Sequence, residues 1–389
     1  MARPLIGLGV RKSGVLFAAI AALALVPSFA VLSPNRIALG EGYPLWRAVD
    51  PGIAALALTL LAATFLLGGV ARSQAMRFGA SVVGLAILVV LLAQAGGLAA
   101  GAGEYARLAP GAGFWLLLLA LLLLMADGLS QMRLSPAARL GVLLALTGAL
   151  GAVLASGVLS EISVMQEYAT RSASFWGEAR RHLVLAGGSL LAAAALGFPL
   201  GILCARSRAV RATVLPVLNL LQTIPSLAMF GVMIPLLAWV AASVPGASAA
   251  GIGGIGFAPA FLALFLYSLL PVVANMVAGL DGVPGPTREA ALGMGMTGGQ
   301  LLRQVELPLA LPVILAAIRI VLVQNIGLAV IAGLIGGGGF GVFVFQGLNQ
   351  TATDLILLGA LPTVLMATVA GVLFDILVDA TTVARGSRP

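Results

Sequence analysis

The chain has 389 residues, 61% of them hydrophobic and 9% charged, with a net charge of +8. A soluble domain carries about 25% charged residues, so composition excludes a soluble enzyme or binding module with an enlarged core. The 21 basic residues stand singly or in twos and threes between apolar runs, without the basic face or tail that nucleic acid requires, so membrane lipid is the expected surrounding.

Runs long enough to cross a hydrocarbon layer of ~30 Å as helix recur along the chain. Ten are predicted, at 14–32, 53–70, 79–101, 112–126, 138–159, 182–204, 213–240, 257–280, 309–335 and 355–380. The fold class is therefore an all-α polytopic membrane protein with about ten transmembrane helices. The first run follows Arg11 and Lys12 and ends in Ser28-Phe29-Ala30, which suits an uncleaved anchor or a signal peptide with a small-x-small site. The first five spans, residues 1–160, are Leu, Ala and Gly with few polar residues and carry no motif. Residues 161–181 are expected as a mixed-charge external linker, with Glu161, Glu167, Arg171, Glu178, Arg180 and Arg181. Residues 182–389 form the second half.

With alternating loops, one side of the membrane receives fourteen basic residues and the other six, with Arg319 inside a span. The positive-inside rule then places both termini and the loop 281–308 in the cytoplasm. Cys204 is the only cysteine, which excludes an intramolecular disulfide. The only histidine, His182, lacks companions for a metal site. Both are read as structural, and no metal is expected.

The second half carries prolines and amides inside its spans. Gln222, Thr223 and Pro225 in QTIPS, together with Asn275, Arg319 and Asn325, are the candidate translocation path. Polar side chains at membrane depth mark either a pathway or an interhelical contact, and proline frees carbonyls that must be covered by protein or water. QTIPS is thus a kink satisfied by neighbours or part of a path, and Arg319 lines a path or snorkels to the interface. Gly336 to Gly341 reads as a close-packed turn or a flexible gate. No carboxylate occupies the middle of a span, as a proton relay would need.

The loop 281–308 reads as helix–Gly–helix. Thr287 is expected to cap a short helix with Glu289 in its first turn, ended by Gly293 and Gly295. Thr297 and Gln300 match a capping box for a second helix, with Leu301, Leu302 and Val305 on its apolar side and Pro308 at its end. Two GxGxxG matches, from Gly251 and from Gly293, follow no predicted strand and carry no weight. With Lys12 as the only lysine, no GxxxxGK[ST] exists, so this chain supplies no P-loop.

The pattern Glu289-Ala290-Ala291, Gly295, then Val305-Glu306-Leu307-Pro308 resembles the coupling loop of bacterial ABC importer permeases, with valine for the usual isoleucine. Over roughly 180–380, stretches such as LQTIPSLAMFGVMIPLL and ELPLALPVILAAIRI resemble the glycine betaine/choline (osmoprotectant) branch. The five additional N-terminal spans are similar to the YehY-type permeases of Gram-negative bacteria. The resemblance implies a type I importer core of five helices preceded by five extra ones, in the bacterial inner membrane. It further implies a cytoplasmic ABC ATPase that uses ATP and Mg, a periplasmic substrate-binding protein, and a second permease copy or paralogue. By that likeness Glu289, Ala290, Ala291 and Gly295 make or shape the ATPase contact and Leu307-Pro308 closes the loop, while this chain binds no cofactor and is no enzyme. An ion-coupled secondary transporter or channel for a small polar solute is the alternative, with QTIPS, Arg319 and the glycine stretch as its path.

Overall fold

The structure, a computed structural model, describes residues 12–386 except 37, 72 and 104, with side chains to residue 381. Arg3, Arg11, Arg72 and Arg388 of the charge count lie outside the described residues. In hydrocarbon, backbone N–H and C=O groups have only each other as partners, so a chain this apolar resolves into helices. Nine described helices are long and apolar enough to span a membrane, and a shorter apolar helix precedes them. The contacts divide the chain into two compact units, residues 1–135 with 145–170, and 136–144 with 171–389.

In the first unit, α1 (Lys12–Leu23) covers only part of the first apolar run. Past Pro27 the chain is extended and forms β1 (Ala30–Ser33), because proline removes a helix donor and disfavours helical geometry before it. β1 lies between β2 (Glu41–Tyr43) and β3 (Arg107–Pro110), antiparallel to both, with Ala30 opposite Tyr43 and Pro110. This small sheet is an addition to the helical fold, built from segments too short and broken to read as strands.

Helices α2 (Pro51–Val70), α3 (Gln74–Ala95) and α4 (Ala112–Gln131) pack with α1 around Leu61, Leu88, Leu91, Leu121 and Leu124. The Asp50 carboxylate caps α2 by accepting from the Gly52 N–H at 2.8 Å. Arg77 is fully buried and is neutralised in place. Its guanidinium pairs with Asp127, and its Nε donates to the Gly68 carbonyl at 2.7 Å. The buried Glu167 carboxylate is similarly shared by Arg36 and by Arg107, the latter at 2.9 Å. Helix α5 (Pro136–Ala155) contributes its first nine residues to the second unit and the rest to the first.

The charged residues 161–181 are largely helical. They fold as helix α6 (Ser163–Leu183), broken only at Arg171 (φ −123°, ψ 18°), where the division between the units falls. The charges conceal a helical stripe in which Phe175, Ala179 and His182 recur at i, i+4 and i+7 and turn inward.

In the second unit, α6 runs through a π-helical turn, Val184–Gly188, into α7 (Ser189–Arg206). Then follow α8 (Arg208–Thr223), α9 (Ser226–Ser243) and the deeply buried α10 (Phe257–Asp281). The seventh apolar run, expected as one span over 213–240, is two helices. Ile224, preceding Pro225, is driven into extended geometry and ends α8. Packing of α7 on α10 uses Gly197 and Gly201, a small-xxx-small pair that lets the backbones approach. A Cβ on Gly201 would lie 2.6 Å from that of Met276. The chain continues through α11 (Gly285–Gly293), α12 (Leu307–Leu328), α13 (Gly341–Gln350) and α14 (Thr353–Gly386).

Candidate functional site

The segment between α10 and α12 is an elbow with a defined stop and start. Pro284, with extended geometry (φ −57°, ψ 134°), occupies the cap position of α11. Thr287 is therefore inside the helix and not its cap; its N–H already donates to the Pro284 carbonyl at 3.1 Å. At the other end the Gly295 N–H donates to Leu292 O at 2.9 Å and the Met296 N–H to Ala291 O at 3.2 Å. This is a Schellman closure, with Gly295 at its left-handed position (φ +84°). Among the described residues nothing lies within 4 Å of a Cβ added to Gly295. The glycine is thus required by backbone conformation and not by close packing within this chain.

The capping box forms as expected. The Gln300 N–H donates to Thr297 Oγ1 at 3.3 Å, and the Thr297 N–H donates to Gln300 Oε1 at 2.8 Å. Pro308, however, does not end the second helix. A π-helical turn over Leu301–Glu306 leads without a break into α12, and the Leu307 N–H donates five residues back to Leu302 O. Widening the helix just ahead of the proline lets the chain continue where proline has no N–H to give to a carbonyl four residues back.

This elbow turns one face outward. Glu289, Ala290, Leu292, Met294 and Gly295 are exposed, Leu292 by 51% and Met294 by 74%, while Ala291 points inward. Glu289 makes no ion pair among the described residues. Leu307 is half-buried and Pro308 exposed. Beneath the face lies an ionic cluster that the sequence reading did not single out. Glu306, 1% exposed, accepts from Arg206 of α7, 3.3 Å to Nη1 with a closer contact to Nη2, and pairs with Arg288 of α11 through Nε at 3.0 Å. Arg288 also donates to the Leu280 carbonyl on α10. One signal in the sequence could have found Glu306: Leu302, Glu306 and Ala310 share one helical stripe, and a carboxylate on a buried stripe needs partners. Arg211 and Asp281 add an exposed pair at 2.7 Å.

Each polar path candidate has a partner, and those of Gln222 and Asn325 include the adjacent Tyr267 and Ser268 of α10. At the α8–α9 break, Gln222 Nε2 donates to Tyr267 O at 2.8 Å, and the Tyr267 hydroxyl donates to the Ile224 carbonyl freed by Pro225. Thr223 turns back on Leu220 O at 2.7 Å. The break is thus satisfied by a neighbouring helix. Asn275, two turns further along α10, donates to Pro271 O at 2.7 Å. Arg319 of α12 pairs with Asp375 of α14. Asn325 is fully buried, and its Nδ2 donates to Ser268 Oγ of α10 at 2.7 Å and Ser189 Oγ of α7 at 3.1 Å.

At the opposite end of α12 the glycine stretch is a turn, with Gly336, Gly338 and Gly339 at positive φ. The Gly339 N–H donates to Glu178 Oε2 at 2.5 Å and the Phe340 N–H to His182 Nδ1 at 3.2 Å. His182 Nε2 lies 2.9 Å from Ile326 O. The neutral Nε2–H tautomer satisfies both contacts, which gives this histidine a structural place.

Comparison with known proteins bears on both halves. Residues 11–165 match the family model described as the N-terminal domain of the ABC transporter permease YehY. Residues 197–382 match that of the binding-protein-dependent transport system inner membrane component. The chain is 43% identical over 189 residues to the osmoprotectant import permease protein OsmW of Salmonella typhimurium, covering 49% of this chain and 83% of that one. It is 39% identical over 207 residues to the carnitine transport permease protein OpuCD of Listeria monocytogenes, covering 53% and 86%. With the glycine betaine/carnitine/choline transport system permease protein OpuCD of Bacillus subtilis it shares 42% over 191 residues, 49% and 76% of the two chains. Among solved structures it is similar to the inward-facing MetNI methionine ABC transporter, at a TM-score of 0.45 and 22% identity over 54% of this chain and 95% of that one.

Proposed function

The chain belongs to the family of inner-membrane permease components of binding-protein-dependent ABC transport systems, and from that premise we propose that it is the membrane-spanning subunit of an ATP-driven importer for glycine betaine or a related quaternary ammonium osmoprotectant. The observation that carries the reading is the elbow between α10 and α12. A Schellman closure at Gly295 ends one helix and a capping box at Thr297 starts the next, and Leu292 and Met294 stand exposed beside Glu289. Exposed apolar side chains on such an elbow suit a groove in another protein.

That protein is a cytoplasmic ABC ATPase, which supplies the ATP and Mg chemistry. A periplasmic substrate-binding protein delivers the solute, and a second permease copy or paralogue completes the pore. Both termini and the elbow face the cytoplasm, in keeping with the excess of arginine on that side. The substrate class is taken from the relatives, whose names give osmoprotectants, carnitine, choline and glycine betaine. The division of labour between residues 1–160, 161–181 and 182–389 follows the sequence reading, with transport assigned to the last.

The test is to purify the tagged chain from native membrane in mild detergent and identify what accompanies it. Recovery of a P-loop ATPase, together with glycine betaine uptake that stops on ATP depletion, is expected. Uptake that survives ATP depletion and collapses with the ion gradient would replace this reading with the secondary carrier.

A further inference from the structure

Helix α11 has a poor grip on the rest of the chain. Of its nine residues only Ala291 is buried, and among the described residues only the Arg288 side chain reaches polar groups of other elements, namely Leu280 O at the end of α10 and the Glu306 carboxylate. Glu306 in turn holds Arg206 at the last turn of α7 and stands where the π-helical turn passes into α12. One buried carboxylate therefore joins α11 to α7 and α12, and Arg288 ties the same knot to α10.

The three long helices meet again at a second polar tie, where Asn325 of α12 donates to Ser189 of α7 and Ser268 of α10. From Glu306 to Asn325 along α12 is about 28 Å, and from Arg206 to Ser189 along α7 about 25 Å. The two ties are thus rungs of nearly equal spacing, one at each end of the helix pair. Between the rungs the contacts of α7, α10 and α12 are apolar, with Gly197 and Gly201 of α7 set closely against Val272 and Met276 of α10, which favours movement of the helices together.

We propose that Glu306 is a positioning residue that transmits movement of the docked elbow into the transmembrane helices, with the Asn325 tie making α7, α10 and α12 respond as one block. This rests on the ATPase docking on α11. Glu306 is buried beneath the exposed face and is not offered to the ATPase itself, so its loss should leave docking intact and break transmission.

The experiment uses the full complex in proteoliposomes, with radiolabelled glycine betaine as the probe. Glu306→Gln keeps the shape and removes the charge that both arginines share. Arg206→Gln cuts only the link to α7 and leaves the Arg288 pair in place. Both variants should retain the ATPase at wild-type stoichiometry and continue to hydrolyse ATP, while solute transported per ATP falls about tenfold, within the range of an ordinary coupling free energy. A wild-type ratio of solute to ATP in both variants would overturn the proposal. So would loss of the ATPase from both otherwise monodisperse variants, since the network would then only shape the docking face. Absence of an ATPase from the wild-type chain would instead strike the functional reading on which the inference stands.

Discussion

Single residues in this protein are constrained by backbone conformation and by the absence of water as much as by contact. At Gly295, φ of +84° with open space around a Cβ means that a substitution costs about 1–2 kcal/mol of local strain without a clash. A β-branched residue is the worst occupant and asparagine the most tolerated. Gly295→Val is therefore expected to insert and fold, yet to lose co-purifying ATPase and most uptake, while Gly295→Asn keeps a measurable share of both. Equal behaviour of the two would show that the left-handed turn is unimportant. Asn325 illustrates the second constraint, since its amide is fully buried and spans three helices. Asn325→Ala should destabilise the detergent-solubilised protein by about 1–2 kcal/mol, read as a lower Tm in a thermal melt. An unchanged Tm would mean that the serines find equivalent partners. Spacing and residue type made Gly295 as a helix stop and the capping box legible in the sequence. Glu306 was not, because a single carboxylate in a polar loop looks solvated until Arg206, about a hundred positions away, is seen beside it.

Elements were legible wherever hydrophobic length alone decides, as in α2, α4 and α10, whose bounds fall within a few residues of the apolar runs. They were misread where proline competes with hydropathy. Pro225 ended a helix inside an apolar run, and Pro308 failed to end one because a π-helical turn absorbed it. How closely helices approach is likewise set by small residues. Gly201 sits against Met276, so Gly201→Val should force α7 and α10 apart at an overpacking cost of about 1–3 kcal/mol. The expected result is membrane insertion at normal yield with a lower Tm and early aggregation in size-exclusion chromatography. A variant as stable and monodisperse as the parent would show that this packing is slack.

On the scale of the whole molecule, orientation can be tested with the chain's own chemistry. Cys204 is buried, so it should be silent to a membrane-impermeant maleimide and leave a clean background. Thr297→Cys at the elbow and Ser248→Cys between α9 and α10 are both at exposed positions. In intact spheroplasts Ser248→Cys should label and Thr297→Cys should not, and permeabilisation should expose the latter; the reverse pattern would invert the topology. Read without coordinates, the chain already belongs in a membrane, crosses it about ten times, and carries a helix–glycine–helix elbow in its second half. These follow from hydrophobic length, charge placement and the local chemistry of caps, each of which acts within one stretch of chain. Packing of distant segments sets which polar groups within the spans satisfy one another, buries Glu306 between two arginines, and lets Asn325 draw three helices together. Those outcomes depend on pairings between residues far apart in the chain, where the cost of a buried charge or amide is set by a partner that local pattern cannot reveal.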